Sequence, residues 1–331
     1  STRSSTGFYE VFDVSLEECR AKTPSTEYNP QLAHMLMAMS FSVKNEAEIK
    51  RSFKSFGFAP EDIQTDYSLT GVLAAYGMAK KQGNGQTLVW IAVRGTDGVF
   101  GEEMPDNLAG YLKPDNGEHG GFADAAEDLL SSRLINFLGT EDLSDTTFVL
   151  TGFSRGAAVA NILASRLIDK GVQESNVFAY TFACPDTVNN LSSEVNAGYR
   201  SIFNIANAED FISWAPGGAF SWAPLIKDWD KYGQSYWFSD VWDDYADLEM
   251  IFDPSEIHNE EKYLDQLRAE KLLTEYKEKE EAKKALDKAS VWRESHQFEA
   301  LVQKGEDVLT WVGIHCPVDV EVYASGQLVG S

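Results

Sequence analysis

Between Thr146 and Ile168 the chain passes from a strand-sized apolar run, Thr146 to Leu150, through Gly152-Phe153-Ser154-Arg155-Gly156 into a helix, Ala157 to Ile168, that is apolar on nearly every side. Such a helix has little solvent face and belongs inside a larger core, with Gly171 ending it. The Gly-x-Ser-x-Gly pattern at a strand-to-helix junction has a chemical reason. Small residues let strand and helix approach closely, while the serine hydroxyl projects from a sharp, strained turn. The helix N-terminus adds backbone N–H groups and positive dipole character where an oxyanion would develop. Against this nucleophile reading stands a glycine-rich connection of purely structural use.

The elements around this junction set the fold class. Residues 27 to 60 read as helical, with Leu32, Met35, Leu36 and Met39 at three-to-four spacing and Asn29-Pro30 as a start. Thr87 to Val93 is a buried strand, and residues 121 to 138 return to helical spacing and close at Gly139. Val177 to Phe182 and Tyr199 to Ala206 are further strands. Strands alternating with helices imply an α/β fold with a mostly parallel central sheet and helices on both faces.

Composition narrows the partners. The chain of 331 residues carries 28 Lys plus Arg against 52 Asp plus Glu, a net charge of −24. Nucleic-acid binding leaves a basic footprint, so no nucleic acid is expected, and docking on anionic lipid is disfavoured for the same reason. No window is long and apolar enough for a transmembrane segment. Cys19, Cys184 and Cys316 make neither a disulfide framework nor a zinc site, and Cys184, beside Phe182 and Ala183, reads as an inert buried thiol. Acid pairs such as Glu102-Glu103 and Asp243-Asp244 lack calcium-loop spacing, and Gly83-Asn84-Gly85 is a turn signal, not a phosphate loop. No metal or cofactor is expected.

Beyond Trp214 the text changes. Trp214, Trp222, Trp229, Trp237 and Trp242 crowd a loop-rich stretch, and residues 255 to 289 are dense in Glu and Lys at i,i+4 spacing, as in an exposed helix. The expected division is one large α/β domain over 1–312, including a charged helical segment at 255–310, and the start of a truncated β module at 313–331, where Val320 to Tyr323 and Gln327 to Val329 suggest a hairpin.

A nucleophilic serine needs a base, and the histidines are His34, His119, His258, His296 and His315. His34 lies in the first helix and reads as packing or surface; His119 opens a helix. Taken together, Val93-Arg94-Gly95-Thr96-Asp97, His119-Gly-Gly-Phe122, Thr151-Gly-Phe-Ser154-Arg-Gly156, Tyr180-Thr-Phe-Ala-Cys-Pro185 and Asn204-Ile-Ala-Asn207-Ala-Glu-Asp210 resemble the ordered motifs of class 3 lipases, from about Asn29 to about Leu267. That family has the α/β-hydrolase fold.

The resemblance implies Ser154 as nucleophile, Asp210 as the acid, Thr96 as one oxyanion-hole contact and the Arg155 backbone N–H as the other. His258, in His258-Asn-Glu-Glu-Lys-Tyr263, resembles the His-four-residues-Tyr ending of bacterial members and supplies the base in the order Ser, acid, His. His296 in its helical context and His315 before Cys316-Pro317 are the alternatives, and Asp186 is the alternative acid, with a turn-forming role beside Pro185 as its plainer reading. Phe153 and Arg155 depart from the common motif, which has His and Leu there. The expected activity is ester hydrolysis through an acyl-enzyme. Either residues 214 to 242 or residues 96 to 118 would cover an acyl chain, with transient contact at a lipid interface. A catalytically silent binding module on the same fold, or an acyltransferase or peptidase, is the competing reading. The acidic surface suits a secreted or cell-surface bacterial enzyme.

Overall fold

The computed structural model describes residues 23–69, 73–83, 86–96, 117–207, 210–214, 229–238, 258–268, 273–274, 322–324 and 327–330. Two compact units divide the chain, residues 1–277 and 278–331.

In the first unit, helix α1 (Pro30–Ser42) begins where Asn29-Pro30 predicts: Pro30 occupies the first turn, and the Asn29 side chain accepts from the Leu32 N–H at 3.0 Å. The helical reading of residues 27 to 60 resolves into two helices. Asn45 stops continuity by capping α2 (Glu46–Ser55), accepting from the Ala47 and Glu48 N–H groups. Strands β1 (Ile63–Asp66), β2 (Tyr76–Gly83) and β3 (Gln86–Val93) follow as an antiparallel series.

Helix α3 (Gly120–Glu127) runs through a π-helical stretch, Asp128–Leu134, into α4 (Ile135–Leu138), and Gly139 ends the run at φ 71°. A left-handed residue there suits glycine. Next come β4 (Thr146–Phe153), α5 (Arg155–Asp169), β5 (Val177–Phe182), β6 (Val188–Asn189), α6 (Ser193–Asn196) and β7 (Ile202–Asn207). The first unit closes with β8 (Trp229–Asp230), β9 (Gln234–Phe238), α7 (Glu260–Arg268) and β10 (Leu273–Thr274).

These strands form an eight-stranded sheet in the order β1-β2-β3-β4-β5-β7-β9-β10. Pairing is parallel from β3 through β9 and antiparallel at both edges. Every residue of β4, β5 and β7 is buried, as expected of strands covered on both faces. Alternation divides the core into two layers. Val89, Ile91, Val93, Phe148 and Leu150 pack with α3 and α5 on one face, while Trp90, Ala92, Val149 and Phe153 pack with α1, α2 and α7 on the other. This is the α/β-hydrolase architecture.

The charged stretch after residue 255 departs from a continuous helix. Among the described residues it holds α7, capped by Asn259 and packed on α1, and then β10, whose Leu273 pairs with Phe238 at the sheet edge. Covering an open strand edge outweighs the helical charge pattern there. The rest of the charged segment and the expected boundary near residue 312 lie outside the described residues.

In the second unit the described residues form a hairpin, β11 (Val322–Ala324) with β12 (Gln327–Gly330), at the position the alternating residues suggest. No helix among the described residues is long and apolar enough to cross a membrane.

Candidate active site

Parallel register brings four chain segments to one edge of the sheet. Val93 pairs with Gly152, Phe153 with Phe182, and Phe182 with Ile205. The segments leaving the C-terminal ends of β3, β4, β5 and β7 therefore converge, the position at which open α/β sheets bind ligands. They carry Thr96, Ser154, Asp186 and Asp210 respectively.

Ser154 is the sharp turn itself. Its φ of 56° and ψ of −127° lie in a region that L-residues rarely adopt, and its N–H donates to the Phe182 carbonyl at 2.9 Å. The glycines on either side are there for space. A Cβ on Gly152 would lie 2.3 Å from the Gly156 backbone, one on Gly156 would lie 2.3 Å from the Val93 oxygen, and one on Gly95 would lie 2.8 Å from the Phe153 oxygen. Gly95 therefore brings the Arg94-Gly95-Thr96 backbone against the turn, with Thr96 half-buried beside it. Gly152→Ala is expected to destabilise the fold by about 1–3 kcal/mol or more, as overpacking against immovable backbone does. The check is a lowered urea midpoint at unchanged m.

Asp210 follows β7 and is fully buried. Its Oδ2 accepts from the Tyr263 hydroxyl at 2.9 Å and lies 2.8 Å from His258 Nδ1, while Oδ1 accepts from the Ile212 N–H at 3.1 Å. The Tyr263 hydroxyl in turn accepts from the Asn207 N–H at 2.9 Å. Burial first, and then the Asp210 charge, push the Tyr263 phenol well above its ordinary pKa, so it stays a donor.

His258 lies two residues before the start of α7, and its ring lies 4.7 Å from that of Phe153, the residue before Ser154. Phe153 also meets Tyr263 edge-on at 5.4 Å. Phe153 is thus the aromatic floor that carries both the imidazole and the tyrosine up to the turn. The departure from the common motif places a packing surface where a polar side chain would stand.

The other candidates have different occupations. His119 caps α3: Nδ1 accepts from the Phe122 N–H at 3.2 Å, and its ring stacks on Phe122 at 3.7 Å. His34 is half-buried on α1. Asp186 lies 3.2 Å from the buried Lys231 ammonium. Cys184 is buried, and burial pushes its thiol up to about 12, as befits an inert side chain. The Arg155 side chain is buried and donates to the Leu73 carbonyl at 3.4 Å, bracing the turn, while its backbone opens α5. His296, His315, most of the tryptophan-rich stretch and residues 97–116 of the alternative lid lie outside the described residues. Within that stretch Trp229 and Trp237 are buried strand residues.

A strained serine at a glycine-flanked strand-to-helix turn, on a sheet of this order, defines a serine hydrolase of the α/β-hydrolase class. Residues 91–220, the stretch from β3 past Asp210, match the family model described as lipase (class 3), and the match supports a carboxylic ester hydrolase. Solved structures with a similar course include a lipase from Rhizopus microsporus var. chinensis at 17% identity, covering 64% of this chain and 75% of that one with a TM-score of 0.44. The Rhizomucor miehei triacylglyceride lipase is 18% identical, with coverage of 63% and 80% and a TM-score of 0.41. Lipase II from Rhizopus niveus is 14% identical, with coverage of 64% and 82% and a TM-score of 0.43. No curated protein sequence matches the chain.

Proposed function

We propose that Ser154, His258 and Asp210 form the catalytic triad of this hydrolase, with Thr96 and the Arg155 N–H as the oxyanion hole. The observation that carries the reading is the buried His258–Asp210 pair at 2.8 Å, with the imidazole resting on the residue next to the strained serine. Asp210 fixes the tautomer: the proton sits on Nδ1, leaving Nε2 as the base.

In the first half-reaction the Ser154 oxygen bonds to the ester carbonyl carbon as its proton passes to His258 Nε2. The carbonyl oxygen takes up the negative charge against the N–H donors. Collapse breaks the carbon–alkoxide bond, and His258 returns the proton to the leaving alcohol. In the second, water loses its proton to His258, attacks the acyl carbon and releases the acid and free Ser154.

The match to the class 3 lipase model supports a lipid ester as substrate, met at a lipid interface. The net charge of −24 fits a soluble, secreted or cell-surface enzyme. The test is a panel of p-nitrophenyl esters of increasing acyl length, with and without detergent, beside labelling by a fluorophosphonate. Hydrolysis that rises with acyl length and interface supports the lipase reading, and no hydrolysis with no labelling overturns it.

Tyr263 belongs to the same reading. Tyr263→Phe removes one of two donors from Asp210 Oδ2 and the acceptor of the Asn207 N–H, at a cost of about 1–3 kcal/mol. A fall in kcat of roughly tenfold with little change in KM is the expected result in steady-state kinetics.

A further inference from the structure

Lys231 looks in the sequence like an ordinary surface lysine between Asp230 and Tyr232, yet its side chain is 5% exposed. A lysine is almost never buried without full pairing. Its three ammonium protons meet three partners: the Cys184 carbonyl at 2.8 Å, the Ser213 carbonyl at 2.7 Å and Asp186 Oδ1 at 3.2 Å. Burial by itself would lower the ammonium pKa, but Asp186 and its neighbours raise it above the ordinary value, so the charge is kept.

The partners belong to two different loops of the site. Cys184 and Asp186 lie in the segment after β5, whose Ala183 is held at a left-handed φ of 51°. Ser213 lies in the short 3-10 turn after Asp210, and its N–H donates to the Asp210 carbonyl at 3.0 Å. Asp210 is therefore tethered at the start of its turn by its own backbone and, three residues on, through Lys231 to the neighbouring loop. Lys231 itself is placed by β8, which pairs antiparallel with β6, Val188 against Asp230.

We propose that the buried Asp186–Lys231 ion pair is a positioning clamp that joins the loop after β5 to the loop carrying Asp210 and so holds the carboxylate in line with His258. The proposal rests on Asp210 being the triad acid. Neither Asp186 nor Lys231 touches a reacting atom; both act through Asp210. A misplacement of the acid by about 1 Å lowers turnover by roughly 10²-fold.

The experiment measures kcat and KM on a short p-nitrophenyl ester for Lys231→Met and for the paired replacement Asp186→Leu with Lys231→Met, each also built on Asp210→Asn. The paired replacement removes both charges together, so it leaves no buried charge unpaired, as the single replacement does, and separates loss of the clamp from loss of stability. Expected is a fall in kcat of tenfold or more, toward about 10²-fold, at a KM within about twofold, and no further fall on the Asp210→Asn background. A kcat within tenfold of the parent overturns the clamp, as does an equal fall on the Asp210→Asn background, which marks a merely structural pair. The two readings fail separately. A parent that escapes fluorophosphonate labelling overturns the triad, whereas a labelled parent that depends on Asp210 but not on Lys231 overturns the clamp alone.

Discussion

Ser154→Ala is expected to abolish both fluorophosphonate labelling and ester hydrolysis, lowering kcat by about 10⁴- to 10⁶-fold, while leaving the thermal midpoint near that of the parent. The loss is large because no other described side chain combines the serine's conformation with its place at the start of α5. Stability is spared, or even gains. The residue occupies a φ of 56°, and its side chain makes no capping bond to the helix that follows, so removing the hydroxyl takes no helix cap from the fold. A variant that kept a tenth of the parent activity would remove Ser154 from the chemistry and leave the turn as a structural connection.

The second large effect falls on the His258–Asp210 pair. His258→Ala is expected to cost about as much as loss of the serine, because the two act as a unit, and Asp210→Asn about 10⁴-fold, because an amide stabilises the wrong imidazole tautomer. Combining the two changes should cost little more than His258→Ala alone. Near-normal hydrolysis by His258→Ala, with loss in His315→Ala or His296→Ala, would transfer the base to one of those residues. Asp186→Asn offers a contrast. It acts on the Lys231 pair and not on the His258–Asp210 pair, so its effect should lie well below that of Asp210→Asn.

Much of this site is legible in the residues alone, for physical reasons that differ by element. The elbow is local: two glycines forced by backbone distances of 2.3 Å, a serine between them, and flanking strand and helix that announce themselves by burial. The start of α1 at Asn29-Pro30 and its stop before Asn45 are local too, although the stop depends on a cap that periodicity does not register. Pairing of Asp210 with His258 is not local. Their 48-residue separation in sequence is closed by β7, α7 and the core between them, and only the resemblance of the ordered motifs points to it.

Other features leave little trace in the sequence. Tyr263 reads as part of a motif ending, but its bond to Asp210 arises from the seating of α7 on α1. Lys231 carries no sequence signal, because the pattern of a buried cation is indistinguishable from that of an exposed one until Asp186 and two carbonyls close around it. The charged stretch after residue 255 misleads in the opposite sense. Its i,i+4 pairs favour helix, yet Leu273 and Thr274 are taken by the edge of the sheet.

The aromatic floor beneath His258 has one more effect. In the proposed cycle the imidazole becomes a cation twice, once after each proton it accepts, and each time it lies 4.7 Å from the centre of the Phe153 ring. The electron-rich face of that ring attracts a cation by about 0.5–1 kcal/mol, with no titratable group of its own to compete for the proton. A histidine in that place would set a second ionisable ring within the same few ångströms. With phenylalanine there, the transient imidazolium keeps an uncharged aromatic neighbour throughout the cycle.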